Sequence, residues 1–286
     1  MARLTEEAVM TPPVVLTVAG SDSSGGAGLQ ADLRTFAATG VHGTAAVTVV
    51  TSQNTAEFRA AVAMAPGMIL SQIEAVLADM NVLASKTGLL FTDANVAAVA
   101  TIAEHSLLPL LVVDPVMVGI GGRRLYEPDT EKLISERLIP AARIITPNHL
   151  EAGLLLGREL VDDDEALIAA AQELRGRGPE TVIITGGRRV GSVMTDVIVS
   201  AAGTELLSSP WVETPNVRGS GDTLSAAITA RLAHGDSAIE AIRWAHSYAA
   251  AAIVNAAPWR LGGGQGPLDH FGWARQADES GSSDLP

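Results

Sequence analysis

Short apolar runs, each too brief for a helix, recur along this chain, and a helical pattern follows most of them. Val14–Ala19, Thr44–Thr51, Val82–Lys86, Leu110–Val113, Arg143–Thr146 and Thr181–Thr185 read as buried strands. Helices are expected from Leu29 onward and at Met68–Asp79, Asp93–His105, Glu165–Arg175, Thr223–His234 and Ala238–Asn255. Parallel strands need a crossover that packs on a sheet face. The alternation therefore predicts an α/β fold with a mostly parallel central sheet and helices on both faces. Ser192–Ser200 and Thr204–Val212, either side of Ala-Ala-Gly, read as a late hairpin. No repeat or long linker divides the chain, so residues 14–273 are expected to form one domain. Residues 1–13 are read as an N-terminal extension and 274–286 as a disordered tail.

Composition narrows the function classes. A net charge of −13 argues against a nucleic-acid partner and against an anionic membrane surface. The absence of cysteine excludes disulfides, thiolate metal sites and a thiol nucleophile. MARLTEEAVMTPP is too polar for a signal peptide, and no apolar run approaches the roughly 20 residues of a membrane span. A cytoplasmic enzyme is the expectation.

Two glycine-rich turns carry the chemistry. In GSGDTLSAAITA, residues 219–230, glycines lead into Asp222 and an Ala/Leu/Ile helix read as amphipathic. Bare amides at Gly219, Ser220 and Gly221, with the positive end of the helix dipole, suit an anion, and Asp222 could take a proton beside it. A plain helix cap by Asp222 is the competing reading. In VVLTVAGSDSSGGAGLQADLRTFAATG a strand runs into a glycine loop and then a helix. Its spacing is not that of a dinucleotide fingerprint, and a loop that closes on a small substrate fits better. Gly20, Asp114, Asn148 and the 185–188 loop each follow an expected strand, where ligands collect in such sheets. Asp114 and Glu151 are candidate Mg²⁺ carboxylates acting through waters, or simply a turn acid and a first-turn helix acid.

The motifs AGSDSSGGAGLQADLRT, TSQNT at 51–55, KTGLL at 86–90, VVDPVMV at 112–118, TPNHLEA at 146–152 and GGGQGPLDHF at 262–271 resemble the phosphomethylpyrimidine kinase family of the ribokinase-like superfamily. The resemblance spans about residues 14–271 and implies a ribokinase-like fold. It also implies ATP-dependent phosphorylation of 4-amino-5-hydroxymethyl-2-methylpyrimidine, and then of its monophosphate, in thiamine biosynthesis, with Mg²⁺ and ATP. By the same resemblance Asp222 is the base at the 219–221 turn. Gly20, Asp32, Gln53, Leu89 and Val116 form the substrate pocket, Asn148, Thr185, Gly187 and Arg188 meet the nucleotide, and Asp114 and Glu151 serve the metal. A homodimer is also implied. Pyridoxal or pyridoxine kinase is the alternative enzyme, and a non-catalytic pyrimidine sensor the alternative outside enzymes.

Two positions depart from the family pattern. Many members carry Cys where Asp222 stands and Lys where Thr185 stands. Arg188 or Arg218 is the expected substitute for the missing charge. An ionised Asp222 suits a neutral hydroxyl acceptor. Beside an anionic monophosphate it is repulsive, by roughly 4 kcal/mol for two like charges about 4 Å apart at an effective dielectric near 20. A preference for the hydroxymethyl substrate follows.

Overall fold

A computed structural model describes residues 11–119, 124–161 and 163–274. The readings of 1–10 as an extension and of 275–286 as a tail lie outside the described residues. Among the described residues nine strands form one sheet: β1 Val14–Asp22, β2 His42–Gln53, β3 Phe58–Ala63, β4 Val82–Thr87, β5 Val112–Val113, β6 Ile144–Ile145, β7 Thr181–Val190, β8 Val193–Ser200 and β9 Gly203–Pro210. Their order across the sheet is β3-β2-β1-β4-β5-β6-β7-β8-β9. The strands from β2 to β7 pair in parallel, whereas β2/β3, β7/β8 and β8/β9 are antiparallel. The expected mostly parallel sheet and late hairpin are both present.

Among the described residues eight α-helices accompany it: α1 Gly28–Ala38, α2 Pro66–Asp79, α3 Asp93–Glu104, α4 Pro128–Leu133, α5 His149–Leu156, α6 Asp164–Arg175, α7 Ser220–Ala233 and α8 Ala238–Ala256. The sheet separates two apolar layers. Val112 and Ile144 face Phe36 of α1 together with α7 and α8, while Val113 and Ile145 face Ile69, Val99, Ala152 and Leu167 of α2, α3, α5 and α6. A strand of two residues can thus be fully buried on both sides, as continuous Val/Ile runs in parallel sheets are.

Several boundaries differ from the sequence reading. β3 was not anticipated, because its residues are largely exposed and show no burial alternation. β1 runs on through Gly20 to Asp22, past a register break between Ala19 and Ser21. The 185–188 stretch is not a loop: β7 continues to Val190 across a break between Ile184 and Arg188, with Gly186 at φ 60°. α7 is not amphipathic, since every residue from Thr223 to Ala230 is buried. Ala and Thr side chains let it lie close against its neighbours.

Chain order reverses at β1, since β2 lies on one side of it and β4 on the other. In open α/β sheets the crevice beyond such a switch point takes ligands. Here that crevice lies past Ala19 and Thr87. Gly28 opens α1 at φ 56°, and a Cβ there would overlap the Gly20 carbonyl oxygen. Gly28→Ala is therefore expected to cost at least about 1–3 kcal/mol, from the backbone conformation alone. Chemical denaturation of the two proteins checks this, and an unchanged midpoint would refute it.

Candidate active site

The first glycine loop and the turn that opens α7 meet at the switch point, and a buried ion pair fastens them. Asp22 accepts Ser24 N (2.9 Å) and Ser24 Oγ (2.8 Å) on Oδ1, and Ala27 N (3.0 Å) and Arg218 Nε (3.0 Å) on Oδ2. Gln30 tightens the turn by accepting Asp22 N and donating to Ser21 Oγ. The glycine loop, expected to close on a substrate, is thus already fastened. Arg218 is committed to Asp22, with side-chain exposures of 6% and 2%, so it cannot be the substitute for the missing Lys.

Gly219 begins α7 at φ 80°, where a Cβ would overlap the Gly26 carbonyl oxygen. Only glycine lets the two turns touch backbone to backbone. Ser220 N donates to Val217 O and Thr223 N to Gly219 O. The expected bare amide at Ser220 is therefore taken, but no side chain caps this helix, so the other amides that open it, Gly219 and Gly221, keep the capacity for an anion. The capping reading of Asp222 fails: its carboxylate accepts no hydrogen bond from the described residues, and its closest charged partner is Lys86 Nζ at 3.9 Å.

Lys86 is the residue that sequence reasoning missed. It lies at the end of β4 with no exposed surface, and its Nζ donates to Asp32 Oδ1 at 2.6 Å. Thr17 Oγ1 donates to the other Asp32 oxygen, also at 2.6 Å. Asp32, expected to touch the substrate, has no exposed surface and is occupied on both oxygens. Its position on the buried face of α1 makes it the holder of Lys86 instead. Burial, more than Lys86 offsets, pushes the Asp32 carboxyl up to about 6, leaving it charged at neutral pH. Burial also works against the Lys86 ammonium, but Asp32, Asp222 and Asp114 together hold it above its ordinary value.

The metal candidates stand one strand over. Asp114 follows β5, donates its N–H to Thr87 O (3.1 Å) and accepts Ser225 Oγ of α7 (3.0 Å). Burial raises its pKa well above the ordinary carboxylate value; Lys86 opposes this, and Asp222 and Glu151 add to it. Glu151 caps α5 reciprocally with Asn148, its Oε2 accepting Asn148 N while its own N–H donates to Asn148 Oδ1. Its Oε1 accepts Met117 N (2.9 Å) and Val118 N (3.3 Å). That grip holds the Asp-Pro-Val turn, where Val116 sits at φ 39°, an uncommon conformation for a β-branched residue. Among the described residues no cluster of three or more His, Asp or Glu could enclose a metal.

For the expected pocket, Gly20 and Leu89 meet: a Cβ on Gly20 would lie 3.6 Å from Leu89 Cδ2 and 2.7 Å from Val49 Cγ1. Gln53 ends β2, its main chain clasped in both directions by Ser23 Oγ, and its carboxamide makes no hydrogen bond to the described residues. Asn148 and Thr185 form a parallel bridge just past β6, at the break within β7, and Thr185 N donates to Pro147 O. Gly187 lies beneath Thr195 O and Leu167, and Arg188 pairs with Asp164 at 3.2 Å while remaining 40% exposed.

The GPLDHF segment closes the arrangement from behind. His270 Nε2 lies 3.0 Å from Thr223 Oγ1, next to Asp222, and Arg218 N donates to Gly266 O. Thr55 of TSQNT bonds the amides of Gly264 and Gln265. A cavity of about 460 Å³ opens here between Ser24, Arg34, Thr55, Trp259, His270 and Trp273, and none of the expected site residues lines it.

The chain matches the family model described as phosphomethylpyrimidine kinase over residues 22–269. It is 39% identical over 258 residues to the hydroxymethylpyrimidine/phosphomethylpyrimidine kinase of Rhizobium meliloti, covering 90% of this chain and 97% of that one. Among solved structures it is similar to Bacillus subtilis pyridoxal kinase in its ADP complex (TM-score 0.85, 35% identity, 92% of this chain and 99% of that chain). It is likewise similar to a Clostridium difficile phosphomethylpyrimidine kinase (TM-score 0.75, 34% identity, 84% and 99%). These relatives bear out the ribokinase-like reading of the fold.

Burial, and then the nearby Arg34 charge, depress the His270 pKa from 6.5 to about 4. As pH falls below about 6.5 the unfolded chain takes up this proton first, so the stability held by neutral His270 is complete above that pH and is lost toward pH 4. His270→Gln should remove this component. The stability advantage of the unmodified protein should shrink by on the order of 3 kcal/mol between pH 7 and 4. Parallel pH profiles in the unfolding of the two proteins would refute it.

Proposed function

The chain belongs to the phosphomethylpyrimidine kinase family, and on that premise we propose how its residues perform ATP-dependent phosphorylation of 4-amino-5-hydroxymethyl-2-methylpyrimidine and of its monophosphate, a kinase step of thiamine biosynthesis. The observation that carries the proposal is an uncapped Asp222 beside the free amides that open α7, facing the switch-point crevice. In the first step the hydroxymethyl oxygen attacks the γ-phosphorus of ATP and Asp222 takes the hydroxyl proton. The amides of Gly219 and Gly221 hold the charge of the phosphoryl group in flight, the Ser220 N–H being already given to Val217 O.

Gln53 offers both a donor and an acceptor to the aminopyrimidine edge, with Gly20, Leu89 and Val116 about the ring. Asn148, Thr185, Gly187 and Arg188 take the nucleotide, with Arg188 in the place of the absent Lys. Asp114 and Glu151 fit Mg²⁺: both are buried carboxylates whose raised pKa values a dication would relieve. Bound there, Mg²⁺ neutralises phosphate charge while keeping much of its water shell. Glu151, with three main-chain N–H groups on its oxygens, would act on the ion as a fixed negative charge, with Asp114 as the second carboxylate. A homodimer and a cytoplasmic location belong to the proposal by family resemblance; among the described residues no helix is long and apolar enough to cross a membrane.

Pyridoxal phosphorylation is the second reading, favoured by the likeness to the Bacillus subtilis pyridoxal kinase. A substrate panel of the pyrimidine, its monophosphate and pyridoxal, read by coupled ADP release, separates the two. The primary reading requires higher kcat/KM on the pyrimidines. Asp222→Asn keeps the turn and its size but loses the proton acceptor, so kcat on the alcohol should fall by about 10²–10⁴-fold with ATP affinity little changed. A variant that keeps its kcat would remove Asp222 from this role. Asp114→Asn should raise the Mg²⁺ concentration for half-maximal rate, with excess Mg²⁺ restoring part of the activity. An unaltered Mg²⁺ curve would dismiss the metal role.

A further inference from the structure

A base that is a carboxylate meets two different acceptors in the two steps. The alcohol is neutral and gives its proton to Asp222, which loses its charge as the reaction proceeds. In the second step an oxygen of the monophosphate attacks the γ-phosphorus, a P–O–P bond forms, the bond from γ-phosphorus to the bridging oxygen of ADP breaks, and ADP leaves. No hydroxyl proton needs removing, so Asp222 stays negative beside an acceptor that is already anionic.

We propose that Lys86, held from behind by Asp32, which Thr17 bonds in turn, is the positioning residue that makes the second phosphorylation compatible with a carboxylate at position 222. The proposal rests on the kinase reading above. Lys86 Nζ lies between the two acids, 2.6 Å from Asp32 and 3.9 Å from Asp222, with no exposed surface. Water and salt therefore screen it little. Because Asp32 stands behind it, the pair turns its positive end toward Asp222. Gly88 leaves the space beside the pair clear: a Cβ there would lie 3.9 Å from Lys86 Nζ and 4.0 Å from Asp222 Oδ1. Among the described residues no other Lys or Arg pairs with Asp32, Asp114, Glu151 or Asp222, since Arg218 is held by Asp22 and Arg188 by Asp164. Lys86 reaches no acceptor itself; it acts by offsetting the charge of Asp222.

The test compares kcat and KM for the alcohol and for the monophosphate in the unmodified enzyme and in Asp32→Asn/Lys86→Met, which removes both charges of the pair together and keeps an acceptor for Thr17. The variant should lose at least about tenfold more kcat/KM on the monophosphate than on the alcohol, chiefly through KM. Equal losses on both substrates, or an unchanged ratio, would overturn the proposal. Asp32→Leu/Lys86→Met, with apolar groups of similar size, repeats the measurement if the first variant does not fold, because such replacements of buried pairs are often tolerated. Collapse of both variants would assign the pair to folding alone and equally overturn the proposal. Failure of the kinase reading looks different: the unmodified enzyme would then phosphorylate neither pyrimidine.

Discussion

The site depends on a contact between two ends of the chain, the buried ion pair of Asp22 with Arg218. Each charge alone would be costly at that depth, and together they are tolerated because Asp22 also collects hydrogen bonds from Ser24 and Ala27. The pair sets how closely the first glycine loop approaches the start of α7. Gly219 then allows contact with the Gly26 carbonyl that any side chain would prevent. The free amides of α7 and the carboxylate of Asp222 owe their place to this junction.

Much of the architecture was legible because parallel strands buried on both faces must be continuous apolar runs, and Val14–Ala19 and Thr181–Thr185 are such runs. Exposed β3 carries no such imprint. Nor does the stretch after Pro128, where the helix passes into a wider turn at Ile134–Leu138 and the helical period is lost. The glycines at 186 and 187 suggested a loop, but pairing with β8 carries the strand through them.

In the site, what was readable is what backbone position fixes: Gly219 precedes α7 with Asp222 in its first turn, Asp114 follows β5 and Asn148 caps α5. What could not be read was the direction of a side chain. Asp32 is a polar residue on a helix, and only the packing of α1 against the sheet shows that it points at Lys86, 54 positions away. Lys86 itself was visible as one of two lysines in the chain and as a charge ending an otherwise apolar strand. Its partner was needed to make sense of it.

The burial of α7 bears on how such a protein can change. Its residues from Thr223 to Ala230 are enclosed, and its first turn is locked between glycines, so the element bearing the proposed base has almost no freedom to vary. Gln53, Leu89 and Val116, proposed to surround the ring, come from three other parts of the chain, the end of β2 and the segments after β4 and β5, and none lies in that helix. A scaffold divided in this way can exchange one flat heterocycle for another over evolutionary time while its phosphate chemistry stays as it was.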